Sequence, residues 1–168
     1  MVRQMFEHME WADANVWSVV LRTPGAGEDP KLPKILQHLH ATQRAFLDVW
    51  TGQPVRFADL MEPRTLSSMC DWARQYHEEC RAFVSGLDSA AMEGEMKLPW
   101  AERMGLPRPP ARTSLNETMI QVPAHSTYHR GQVNLRLRDI GGEPPLVDFI
   151  AWVWMGKPAP EWLSSPEI

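Results

Sequence analysis

The sequence predicts an all-α protein. It reads as a four-helix bundle with a short irregular or hairpin excursion before the fourth helix and a short C-terminal helix. Three observations carry this reading. Apolar residues recur at the three-and-four spacing of a helix in four long segments. Gly and Pro clusters separate those segments. One weakly alternating stretch, residues 94–100, reads as strand. Four long helices can bury their apolar stripes only against one another, which makes a bundle the default. The 168 residues fit one domain, 1–168, with neither a linker nor an internal repeat.

The first helix spans residues 2–22, where Met5, Met9, Ala12, Val16 and Val19 form the stripe before Pro24-Gly-Ala-Gly ends it. The second starts near Pro33, a residue suited to a first turn, and carries Ile35, Leu39, Phe46 and Val49 inward before Thr51-Gly-Gln-Pro54 closes it. The third runs from Thr65 to Leu87 with Trp72, Tyr76, Cys80 and Phe83 on its inner side. Residues 91–112 form the excursion, with the stiff Leu106-Pro-Arg-Pro-Pro110 within it. Ser114-Leu-Asn-Glu117 is a capping box that opens the fourth helix, and Gly141-Gly142 stops it. Pro123 inside it is expected to kink it. Asp148 to Met155 is the short fifth helix, and the Pro-rich tail beyond is expected to be loose.

Composition narrows the function. Hydrophobic residues make up 43% and charged residues 23%, an ordinary globular balance. The net charge of −4 contains no basic cluster, so the chain lacks the electrostatic footprint of a nucleic-acid binder. No apolar run reaches the roughly 18 residues of a membrane span. The chain opens on a charged amphipathic helix rather than a secretory signal. Cys70 and Cys80 lie ten residues apart on one helix, about 15 Å, too far for a disulfide. Free thiols suit a reducing cytoplasm. Eight tryptophans point to an aromatic core or dimer interface, or to an aromatic-lined pocket beside the histidines described next.

The chemistry concentrates in His125-Ser-Thr-Tyr-His129-Arg-Gly-Gln132. Histidines four apart on a helix lie one turn above each other and can share one metal ion. Val122, His125, His129, Val133 and Leu137 make one continuous stripe, so both imidazoles are expected to face inward. On the second helix, at about 100° per residue, His38 falls roughly 60° from the stripe centre and His40 roughly 140° away. His38 is thus expected at the core edge and His40 in solvent. His8 sits at the same edge on the first helix, and His77 lies off the stripe on the third. The ligand candidates are His38, His125 and His129, with His8 as an eventual fourth. Three imidazoles leave one to three positions open for water or substrate, as metal catalysis requires. Arg130, turned about 100° from His129, is expected to make an ion pair at the helix surface. Tyr128 is expected in the core. No Gly-rich phosphate loop and no Ser–His–Asp pattern is present.

These residues resemble those of the DinB-like, or YfiT-like, metalloenzyme family. The resemblance rests on Trp11-Ala12, His38-Leu39, the 125–132 string, and Gly141-Gly-Glu-Pro-Pro145 followed by Asp148-Phe149. It implies an up-down-down-up bundle with a long crossover. It implies a divalent ion, zinc or nickel, on three histidines matching His38, His125 and His129, and a homodimer. Relatives with known chemistry transfer or isomerise small molecules using low-molecular-weight thiols such as bacillithiol, mycothiol or glutathione.

Three functions follow. The first is a cytoplasmic, thiol-dependent S-transferase acting on a small electrophile, since coordination deprotonates a thiol and the thiolate is the nucleophile. The second is a metal-dependent hydrolase, which needs a carboxylate base. None is evident beside the fourth-helix pair, leaving Glu7 and Glu10 on the first helix. The third is a non-catalytic, metal-stabilised dimeric stress or binding protein, favoured if His8 closes the shell.

Overall fold

In the computed structural model, which describes residues 1–163, each of the four sequence-predicted long helices forms. Helix α1, Val2–Arg22, is covered on nearly every side, burying Phe6, Met9, Trp11, Ala12, Val16, Trp17 and Val20. Helix α2, Leu32–Trp50, starts with Pro33 in its first turn, where a missing N–H goes unneeded. Oδ1 of Asp29 accepts from the backbone N–H groups of Lys31 (3.0 Å) and Leu32 (2.7 Å) there. A single turn, α3 (Phe57–Leu60), follows. Helix α4, Leu66–Ser85, is capped by Thr65, whose hydroxyl accepts from the Ser68 N–H at 3.2 Å.

The excursion holds the one-turn α5 (Ser89–Met92), β1 (Glu95–Met96), a 3-10 turn at Ala101–Met104, and β2 (Thr113–Ser114). The strands pair antiparallel, Glu95 opposite Ser114. Helix α6, Leu115–Asp139, opens on the expected capping box. The Ser114 hydroxyl accepts from Glu117 N–H at 3.3 Å, and the Glu117 carboxylate accepts from Ser114 N–H at 2.7 Å. It continues as one helix through the buried Pro123. Gly141 (φ 85°) ends it, and a Cβ on Gly142 would stand 2.8 Å from the Thr23 hydroxyl, so this turn needs both glycines. Helix α7, Phe149–Trp154, completes the set. No helix among the described residues is long and apolar enough to cross a membrane.

Two apolar clusters give the helix directions. Phe6 and Met9, Leu47 and Trp50, Cys80 and Val84, and Leu115 and Met119 share one. Val16 and Val20, Leu32 and Leu36, Met69 and Cys70, and Val133 and Leu137 share the other. Helices α1 and α6 therefore run one way and α2 and α4 the other, the up-down-down-up order. Around the bundle the neighbours are α1–α6, α6–α2, α2–α4 and α4–α1.

One element is added and one expectation corrected here. Residues 51–64 contain α3, too short for a periodic signal. The tail is also ordered as far as it is described. The Trp152 indole N–H donates to Pro158 O at 3.1 Å, and Trp162 packs against the second cluster with its ring 5.5 Å from that of His77. Residues 164–168 of that tail lie outside the described residues.

Candidate metal centre

Where α2 meets α6, three imidazoles converge. The helical repeat stacks His125 on His129, with their Nε2 atoms 3.1 Å apart. The His38 ring on α2 has its centroid 4.6 Å from that of His129 and 5.2 Å from that of His125. One ligand atom from each of the three lies within 4.8 Å of the other two. No carboxylate or cysteine among the described residues joins them.

The donors suit a divalent ion. Oε1 of Gln132 can only accept, so the 2.7 Å contact with His129 Nδ1 puts the proton on that nitrogen and leaves Nε2 a lone pair. Burial, reinforced by His129 and His38, pushes His125 down to about 4. Burial and the neighbouring His129 also lower His38. His125 and His38 are therefore neutral near pH 7, the form that ligates. Two nitrogens about 2.1 Å from one ion are at most about 4.2 Å apart, and the His125–His129 pair is inside that limit. Nδ1 of His125 is buried and finds no hydrogen-bond partner among the described residues.

The other histidines lie elsewhere. His40, expected in solvent, is 2% exposed. The Trp17 indole N–H donates to its Nε2 at 2.9 Å, and its Nδ1–H donates to Gln43 Oε1 at 2.8 Å. His38, expected at the core edge, is instead exposed. The reason is helix phase. The buried stripe of α2 runs through Leu32, Leu36, His40, Gln43 and Leu47, about 95° round the helix from the stripe drawn through Ile35, Leu39, Phe46 and Val49. His8 is buried against α7, its Nε2 2.9 Å from Val147 O and its ring among Trp11, Phe149 and Trp152, away from the triad. Arg130 is buried rather than at the surface, and Tyr128 is 66% exposed rather than in the core. Glu10 turns toward α4, where Arg81 NH2 donates to it at 2.6 Å, and Glu7 is exposed.

Over residues 1–162 the sequence matches the DinB family. The chain belongs to the DinB family. It is 19% identical to Protein DinB of Bacillus subtilis (strain 168) over 169 residues, which cover 92% of this chain and 94% of that protein. The DinB match takes in all four long helices and α7, hence every member of the triad.

In this DinB chain the triad is backed by a polar layer that sequence reasoning missed. Asp13 sits between the two apolar clusters. Oδ2 accepts from Gln43 Nε2 at 2.8 Å and faces His77 Nε2 at 3.0 Å, while Oδ1 accepts from Arg130 at 2.7 Å. Gln43 Nε2 also donates to the Ser126 hydroxyl at 3.0 Å. Burial pushes the Asp13 carboxyl up, but Arg130 and His77 outweigh it and hold the group well below the usual carboxylate range. Burial takes His40 down to about 4 against the opposing pull of Asp13. All four long helices contribute, and Ser126 and Arg130 each directly follow a triad histidine. Their bonds fix the rotation of α6 that turns His125 and His129 toward α2. The available signal was Asp13 itself, a charge on the same helical face as Met9, Val16 and Val20.

Proposed function

We propose that the protein is a divalent-metal-dependent transferase that joins a low-molecular-weight thiol to a small electrophile, with His38, His125 and His129 as the metal ligands. The observation that carries this reading is the convergence of three imidazoles with no fourth protein ligand among the described residues. A closed structural site would have four ligands, and the obvious fourth, His8, is engaged at α7.

Zinc or nickel bound there would supply Lewis acidity, enough to strip the proton from a thiol whose free pKa is about 8.5. The chain's own part is positioning. Gln132 holds the His129 ring so that Nε2 faces the site. The polar layer fixes α6 in register with α2. His38, on the exposed side of the seam, keeps the site open to solvent and to a cosubstrate. In the reaction the sulfur forms a bond to the electrophilic carbon and the leaving group departs with its electron pair. The thiol proton passes to water. No side chain need act as nucleophile.

Hydrolysis is the weaker reading, because it calls for a carboxylate base and both candidates on α1 are turned elsewhere. The test is to load the protein with zinc or nickel and offer 1-chloro-2,4-dinitrobenzene with glutathione, mycothiol or bacillithiol. A thioether product is expected with one of them, lost in His125→Ala. Loss of the electrophile at the same rate without any thiol would contradict the transferase reading.

A further inference from the structure

Beside the triad, the α2–α6 seam widens into a cleft of about 480 Å³, within the usual range for small-molecule sites. His38 and His125 form one end of it. Its floor is low because α2 presents two buried alanines one turn apart, Ala41 and Ala45. Its far wall is Trp100, supplied by the excursion. That indole is held edge-on by Phe46 (centroids 5.1 Å apart) and by Phe57 of α3 (6.2 Å).

Two features define the occupant. The rim exposes large apolar side chains to water: Phe57 is 44% exposed, Met61 62% and Met104 64%. Clustered exposed apolar surface around a hollow marks a binding site. And no Asp, Glu, Lys or Arg among the described residues lines the cleft. Its polar groups are the two histidines, Gln121 and Thr42, and the Thr42 hydroxyl already donates to His38 O at 2.9 Å. Away from the histidine end, an ionised group entering would lose its hydration without compensation.

We infer that this cleft binds an uncharged aromatic molecule, seated against Trp100 with one end at His38 and His125. The inference rests on the proposed metal chemistry only in taking that molecule for the electrophile. The carboxylates of a thiol cosubstrate then stay outside the cleft.

The test uses the metal-free full-length protein and two fluorescent probes that share a ring system. N-phenyl-1-naphthylamine is uncharged, and 1-anilinonaphthalene-8-sulfonate carries a sulfonate. The uncharged probe should bind one per chain, about tenfold or more tighter than the sulfonate. Met61→Asp, which puts a charge on the rim, should weaken it by about tenfold. Leu135→Asp, on an equally exposed apolar residue of α6 outside the cleft, should leave it unchanged. Equal affinity for both probes, or equal effects of the two substitutions, would overturn the inference. Probe binding that survives while metal binding fails would sustain the cleft and sink the metal-dependent reaction. Metal binding without probe binding would do the reverse.

Discussion

Gln132 accepts a hydrogen bond from His129 at 2.7 Å, and this one contact decides which nitrogen of His129 is free. With the proton fixed on Nδ1, Nε2 stands 3.1 Å from His125 Nε2 with its lone pair available. Gln132→Leu removes the acceptor and lets the ring turn over. Metal affinity should fall by about 10–100-fold, the usual effect of losing such a partner. Competition against a chromophoric chelator measures it, and an unchanged affinity would separate Gln132 from the site.

Asp13 and Arg130 form the charged centre of the polar layer, both almost wholly buried. Asp13→Ala strands a buried guanidinium and should cost about 3–5 kcal/mol. Urea unfolding reads this directly. A cost within the scatter of a surface substitution would mean that the layer is solvated rather than dry.

His40 and His38 should part company. His40→Ala leaves the Trp17 indole N–H and Gln43 Oε1 unsatisfied and should cost about 1–3 kcal/mol for each group. Metal stoichiometry should stay at the wild-type value. His38→Ala should do the opposite, because His38 is exposed and has little packing to lose.

That contrast shows which parts of the molecule were legible in the sequence. The four long helices followed from apolar spacing and from explicit stops such as Gly141-Gly142. The His-x3-His pairing followed from the helical repeat. Helix phase did not, because hydrophobicity alone locates a buried stripe only when that stripe is apolar. On α2 two of the inward residues are His40 and Gln43, so the aliphatic side chains Ile35 and Val49 pulled the inferred stripe away from the true one. The same effect on α6 hid Ser126 and Arg130 and set the triad at an outer seam rather than in the interior. Trp100 was unreadable for another reason: it lies in an excursion with no period, and only the packing against Phe46 and Phe57 assigns it to the cleft.

Acid should expose two carboxylates. The Arg136 hydrogen bond, with those from Leu32 and Lys31, holds Asp29 at about 2, and Arg130 keeps Asp13 depressed as well. A carboxyl lower in the fold than in the unfolded chain stabilises fully above its unfolded value, about 3.9. That contribution disappears as pH falls through the folded value. Stability should therefore decline between about pH 4 and pH 2. Asp29→Asn should make that decline shallower in acid titrations followed by circular dichroism. An identical slope in the variant would remove Asp29 from the account.

The central claim is that three histidines from two helices hold one ion. Elemental analysis of the purified, reconstituted protein beside His38→Ala, His129→Ala and His40→Ala tests it most directly. The account predicts about one zinc or nickel per chain in the wild type and in His40→Ala, and loss of that metal in the other two. Folded wild-type protein that takes up no divalent ion, or that keeps it in all three variants, would contradict it.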